Sequence, residues 1–335
     1  IIPYISLQLK AISNTFSIIL EYPDVVMPDK AGAPLFLGDT TFYIAMLLAA
    51  FTILFGTRHL DATERHEGLV AAIAFESVVK LLAFMAVGLF VTFWLYDGFA
   101  DIFSRTAEVP ELSALLTLSG PEGSYATWGS LLFLSMAAIL FLPRQFQVAV
   151  VENVNESHLT KAIWLFPLYL LAINVFVLPI TFGGLLHFPA NTVDADTFVL
   201  TLPIAERQPW LALFAFIGGL SAATGMVIVE TIALSTMVCN DLLMPLLLRM
   251  RTLRLTMRPD LSGLLLGIRR GAIVVILTLG YLYFYFAGEA YALVSIGLIS
   301  FSAVAQFAPV IIGGLFRSEE HTSELQSQFR ISYAV

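Results

Sequence analysis

The feature that most constrains this chain is a succession of long apolar runs almost free of charge. A helix crossing about 30 Å of hydrocarbon needs roughly 20 mostly apolar residues. Seven runs approach that requirement: Thr41–Thr57, Leu69–Tyr96, Trp128–Pro143, Ile163–His187, Pro209–Leu243, Gly271–Phe286 and Tyr291–Phe316. An eighth, Ile1 to about Leu20, reads as a partial span. With 58% apolar and only 13% charged residues, the chain lacks the charge to cover a water-facing surface. The expected fold class is therefore an all-α polytopic membrane protein. Disorder, nucleic-acid binding and a disulfide scaffold are excluded together, because the net charge is -8 and Cys239 is the single cysteine.

Charge in the connections gives the orientation. The stretches around 58–68, 144–161 and 249–270 carry ten cations: Arg58, Arg65, Arg144, Lys161, Arg249, Arg251, Arg254, Arg258, Arg269 and Arg270. The alternate stretches, around 21–40, 97–127 and 188–208, carry three: Lys30, Arg105 and Arg207. By the positive-inside rule the first set faces the cytoplasm. The external stretches are acidic, which fits either ordinary solvated loops or capture of a cationic solute.

The ends differ from the rest. Ile1 opens inside an apolar run, without Met or a signal-peptide n-region. At the other end, Arg317–Ser327 (RSEEHTSELQS) reads as the translation of a widely used sequencing-adapter DNA. Gln328, Phe329 and Arg330 fall where its variable index lies, and ISYAV (Ile331–Val335) matches the adapter beyond the index. The expectation is a membrane domain over residues 1–316, truncated at both ends, with 317–335 foreign and structureless.

Several runs are unlike plain anchors. Asn174, Pro179, Gly183 and Gly184 interrupt one. Gly218, Gly219, Ser221, Thr224, Gly225, Glu230 and Thr231 punctuate another, and Ser300, Ser302, Gln306, Pro309, Gly313 and Gly314 a third. Small residues let helices approach closely, and breaks free backbone groups that can line a solute cavity. Both readings are open for any one residue; for the set together a solute pathway is expected.

Charged groups within spans are expensive and need partners. Glu76 and Lys80, spaced i,i+4 in the favoured order, are expected to pair along one helix, either as a neutral staple or as a gating element. Glu230 has only Met226 and Leu234 at i±4, so it is expected either to hold a proton or to face water. No phosphate-binding loop, zinc-protease motif or paired-cysteine metal site is present, and no catalytic residue, metal or cofactor is expected.

Five segments are distinctive: YISLQLKAIS (Tyr4–Ser13), FGTRHLDATERHEGLVAAIAFESVVKLLAF (Phe55–Phe84), LPRQFQVAVVEN (Leu142–Asn153), FIGGLSAATGMVIVETIALSTMVCNDLLMPLLLR (Phe216–Arg249) and SIGLISFSAVAQFAPVIIGGLF (Ser295–Phe316). Through them the chain resembles the membrane domain of the sodium:solute symporter family, in the version fused to bacterial hybrid sensor histidine kinases. The resemblance implies a bacterial inner membrane as the location. It implies a LeuT-like fold of inverted five-helix repeats, with solute held near the midplane by broken helices. It also implies that the chain starts inside the third core helix and runs through the tenth. Sodium-binding Ser and Thr hydroxyls of related symporters fall here at Gly225 and Met226, which have no side-chain oxygen, while Thr224 lies one position away. That weighs against sodium and toward proton coupling or uncoupled sensing, with Glu230 the candidate proton-linked switch. The expected function is solute sensing, of an amino acid or similar small polar metabolite, on behalf of kinase domains in the parent chain. The rivals are a stand-alone secondary transporter and an anchor whose site has decayed.

Overall fold

A computed structural model describes residues 1–28, 38–56, 67–117, 124–249, 262–288 and 293–316. The expected foreign segment, 317–335, lies outside the described residues, as do Arg58, Arg65, Arg251, Arg254 and Arg258. Among the described residues every regular element is helical.

The long elements are α1 (Ile2–Leu20), α2 (Thr40–Gly56), α3 (Glu67–Phe90, prolonged by a wider π-type turn, Val91–Leu95), α6 (Tyr125–Phe141), α8 (Ser157–Asn174), α11 (Pro209–Met237), α13 (Ser262–Tyr283) and α14 (Leu293–Ala305). Short helices join them: α4 (Phe99–Glu108), α5 (Pro110–Ser113), α7 (Pro143–Phe146), α9 (Val177–His187), α10 (Phe198–Ala205), α12 (Met244–Arg249) and α15 (Ala308–Phe316).

Five helical stretches are long and apolar enough to cross a bilayer: Val70–Leu95, Ser157–His187, Pro209–Arg249, Ser262–Ala287 and Leu293–Gly314. A sixth counts if Tyr125–Phe141 and Pro143–Val151, bent by 46°, form one span. The chain is thus an all-α membrane protein that crosses several times. The seven full spans read from the sequence are reduced in two places. The described α2 is 17 residues long, or about 26 Å at 1.5 Å per residue, short of the hydrocarbon thickness. The second is the bend between α6 and α7, where Leu142 is extended (φ -65, ψ 130) and Pro143 opens the next helix. Proline lacks the N–H that would continue α6 and suits a first helical turn.

The architecture is organised around α11, which packs on α3, α1, α10, α13 and α2. One core unites α1, α2, α11 and α13 around Ile5, Leu9, Val227, Ile273, Leu277 and Tyr281. A second, around Val91, Ile102, Phe182, Leu202 and Ile204, joins the end of α3 to α4, α9 and α10. Two stretches expected to be external loops therefore contain folded helices. In α10 the buried Phe198, Leu200, Leu202 and Ile204 occupy an element of 8 residues. It is apolar enough for a core and too short to span. In α4, Arg105 pairs with Asp101 at 2.7 Å across one turn while Ile102 is buried. The Arg105 guanidinium, followed by the Asp97 backbone N–H, holds the Asp101 carboxyl below its usual range.

Close packing explains part of the small-residue pattern. Gly88 lies under the Phe176 ring, Gly184 under the Phe198 ring, and Gly218 against the Ala83 methyl. At each, a Cβ would collide with the neighbour, so these glycines set the distance between helices.

Candidate functional site

Where α3, α7, α8 and α11 meet, they enclose a cavity of about 430 Å³. Its polar lining is Glu76, Ser77 and Lys80 from α3, Arg144 and Gln145 from α7, Tyr169 from α8 and Ser221 from α11. Three opposed charges therefore face one space at the level of helices that cross the membrane.

The charged groups do not pair as the sequence suggested. Among the described residues, Glu76 and Lys80 form no ion pair within 4.0 Å. Lys80 instead places its ammonium 5.8 Å from the centroid of the Tyr169 ring, a cation–π contact. The Tyr169 hydroxyl donates to the Ser77 carbonyl at 3.1 Å, which fixes α8 against α3 beneath that ammonium. The Glu76 carboxylate turns toward α11 and fills the space over Gly225, where its Oε2 stands in the position of any Cβ. Gly225 thus contributes no oxygen of its own, but its bare backbone admits a carboxylate oxygen from another helix.

Glu230 is fully buried, 21 residues into the 41-residue stretch Pro209–Arg249. Its partner comes from far along the chain: Arg144 Nε lies 4.0 Å from Glu230 Oε2. Neither Glu230 oxygen, nor Arg144 Nε, has a hydrogen-bond partner among the described residues, so the contact is Coulombic. The Arg144 guanidinium also lies 4.8 Å from the centroid of the Tyr4 ring, and the Tyr4 hydroxyl donates to Met226 Sδ at 3.4 Å. Arg144, counted with the cytoplasmic loop cations in the sequence, instead faces Glu230 from the first turn of α7, just beyond the 46° bend from α6. Arg269 and Arg270, read as part of the same kind of connection, lie within α13.

The remaining candidates separate. Met226 lines the cavity beside Gly225. The Thr224 hydroxyl donates to the Leu220 carbonyl at 2.9 Å and lies 3.1 Å from that of Ser221, so it serves its own helix. Gln306 sits exposed at the break between α14 and α15, away from the cavity.

No protein-family profile, no curated protein and no solved structure matches this chain. The site has to be read from its own chemistry.

That chemistry is extended by two further spaces. An open cavity of about 550 Å³ between α3 and α8 shares Ser77, Lys80, Phe166 and Tyr169 with the first. Another, of about 290 Å³, shares Lys80 and Ala222 with it and reaches Asp196 and Thr197. Lys80 lines all three. Burial, and then the neighbouring Asp194, raise the Asp196 carboxyl above its ordinary range. Arg144 is the functional candidate the sequence reading missed. The available signal was the Leu-Pro-Arg run ending an apolar stretch, since a proline there can redirect the next cation.

Proposed function

We propose that this membrane domain binds a small polar solute in the cavity between α3, α7, α8 and α11, as a sensing or transporting module of the sodium:solute symporter kind. The observation that carries the reading is the cavity's mixed charge. Glu76 can receive a cationic group while Lys80 and Arg144 can receive an anionic one, within a volume suited to a metabolite. An amino acid, carrying an ammonium and a carboxylate, satisfies both. Burying charged groups at this depth is costly unless they serve one another or a ligand, and here Glu76 and Lys80 are held apart rather than joined.

Signalling would follow from differential affinity. A solute carboxylate on Arg144 competes with Glu230 for the same guanidinium, so occupancy biases the position of α7 against α11. In the parent chain such a bias would be passed to histidine kinase domains. The proton-switch role expected of Glu230 is retained in narrower form: Glu230 acts through Arg144, with the Tyr4 ring on the same guanidinium. Sodium coupling gains no support, because the hydroxyl positions remain Gly225 and Met226 and Thr224 bonds its own backbone.

The test is a thermal-shift screen of the purified chain in lipid nanodiscs against the twenty common amino acids, neutral sugars and polyols. The reading expects stabilisation by one or a few amino acids, abolished by Arg144→Gln. Stabilisation by sugars alone, or by amino acids equally in the variant, would overturn it.

A further inference from the structure

The open cavity between α3 and α8 has a chemistry of its own. Its α8 wall is formed by His158, Lys161, Ala162, Leu165, Phe166 and Tyr169. These positions advance by i, i+3, i+4, i+7, i+8 and i+11, which is one continuous helical face. Along that face polarity changes in order. His158 and Lys161 stand in the first turns of α8, at the end bearing the basic connections. Leu165 and Phe166 follow, both exposed to the surroundings. The floor is closed by Lys80 over the Tyr169 ring. At 1.5 Å per residue, Lys161 and Phe166 are about 7.5 Å apart along the axis.

Among the described residues no carboxylate lines this cavity, and neither His158 nor Lys161 has a carboxylate within 4.0 Å. A cationic rim, a long apolar wall and a mouth open along a lipid-facing helix make up a surface complementary to an anionic amphiphile. We propose that this groove binds the phosphate headgroup of an anionic phospholipid, with His158 and Lys161 donating to the phosphate oxygens and an acyl chain lying over Ala162, Leu165 and Phe166. A phosphate at the membrane surface draws lysines by both charge and hydrogen bonding. The apolar wall is what favours a lipid over a free phosphate ester, which would leave Leu165 and Phe166 without a counterpart. The groove shares Ser77, Lys80, Phe166 and Tyr169 with the solute cavity, but the phosphate contacts proposed here need neither Arg144 nor Glu230.

The experiment is native mass spectrometry of the whole chain released from nanodiscs of phosphatidylcholine containing one part in ten of phosphatidylglycerol. The wild-type chain is expected to retain phosphatidylglycerol selectively, and H158Q/K161Q to lose that retention about ten-fold. Arg105→Gln, on the opposite side, is expected to leave it unchanged. Phe166→Ser, which keeps the basic rim, is expected to lower retention on its own, and circular dichroism of each variant confirms its helices. Equal retention of both lipids by wild type, or unchanged retention in H158Q/K161Q, would overturn the proposal. Complete displacement by millimolar glycerol 1-phosphate would assign the site to a free phosphate ester and overturn it as a lipid site.

Discussion

Arg144 and Glu230 show how much a buried charge depends on one distant partner. Glu230 is fully buried, and Arg144 at 4.0 Å is the cation that faces it from α7. Removing one member of a buried pair strands the other and costs about 3–5 kcal/mol, whereas removing both costs far less. Arg144→Gln is therefore expected to lower unfolding stability in mixed micelles by about that amount, and R144Q/E230Q by clearly less than the sum of the singles. Strict additivity in the cycle would show that the two side chains do not act on each other. A second residue-scale expectation concerns Gly225. A methyl there collides with the Glu76 carboxylate, so Gly225→Ala should destabilise by about 1–3 kcal/mol. In a Glu76→Ala background the same change should cost close to zero. Equal costs in both backgrounds would remove Glu76 from the space over Gly225.

At the scale of elements, apolar run length was the legible quantity. α3, α8, α11, α13 and α14 lie where the runs lie, because about 20 apolar residues in sequence have few other uses. What run length could not encode is direction after a break. Pro143 was read as the end of a span, and Arg144 then looked like any cation in a cytoplasmic connection. It faces Glu230 instead. The pairing of Glu76 with Lys80 was inferred from i,i+4 spacing, yet that spacing only makes contact possible. Tyr169 on α8 and Gly225 on α11 offered each side chain a different place. The short helices α4 and α10 were missed because their runs are too brief to span, and their burial depends on partners from elsewhere in the chain. If the bend is what presents Arg144, Pro143→Ala should let α6 continue toward α7. Helix content by circular dichroism would stay level or rise, while the coupling between positions 144 and 230 would fall below about 0.5 kcal/mol. Retained coupling in that variant would place the cause of the inward turn outside the proline.

For the whole molecule, the account holds that several membrane-crossing helices enclose a polar space rather than packing into a dry bundle. Gly218 and Gly225 bring α11 against α3 at Ala83 and Glu76, and the cavity lies beside that seam, with α7 and α8 forming its other walls. Under the proposed function the opposed charges lining that space serve a solute, which offsets the cost of keeping them at this depth. The most direct measurement is the reactivity of a cysteine in the cavity toward a small, charged, water-soluble thiol reagent, in a Cys239→Ser background. Ser221→Cys lines the cavity and Val78→Cys, at a similar level on α3, faces outward. The account predicts that position 221 reacts at least about ten-fold faster than position 78 and that saturating amino-acid ligand slows it, because water and solute share that space. Equal, negligible reaction at both positions would mean that the cavity is closed to solute, and would contradict the account.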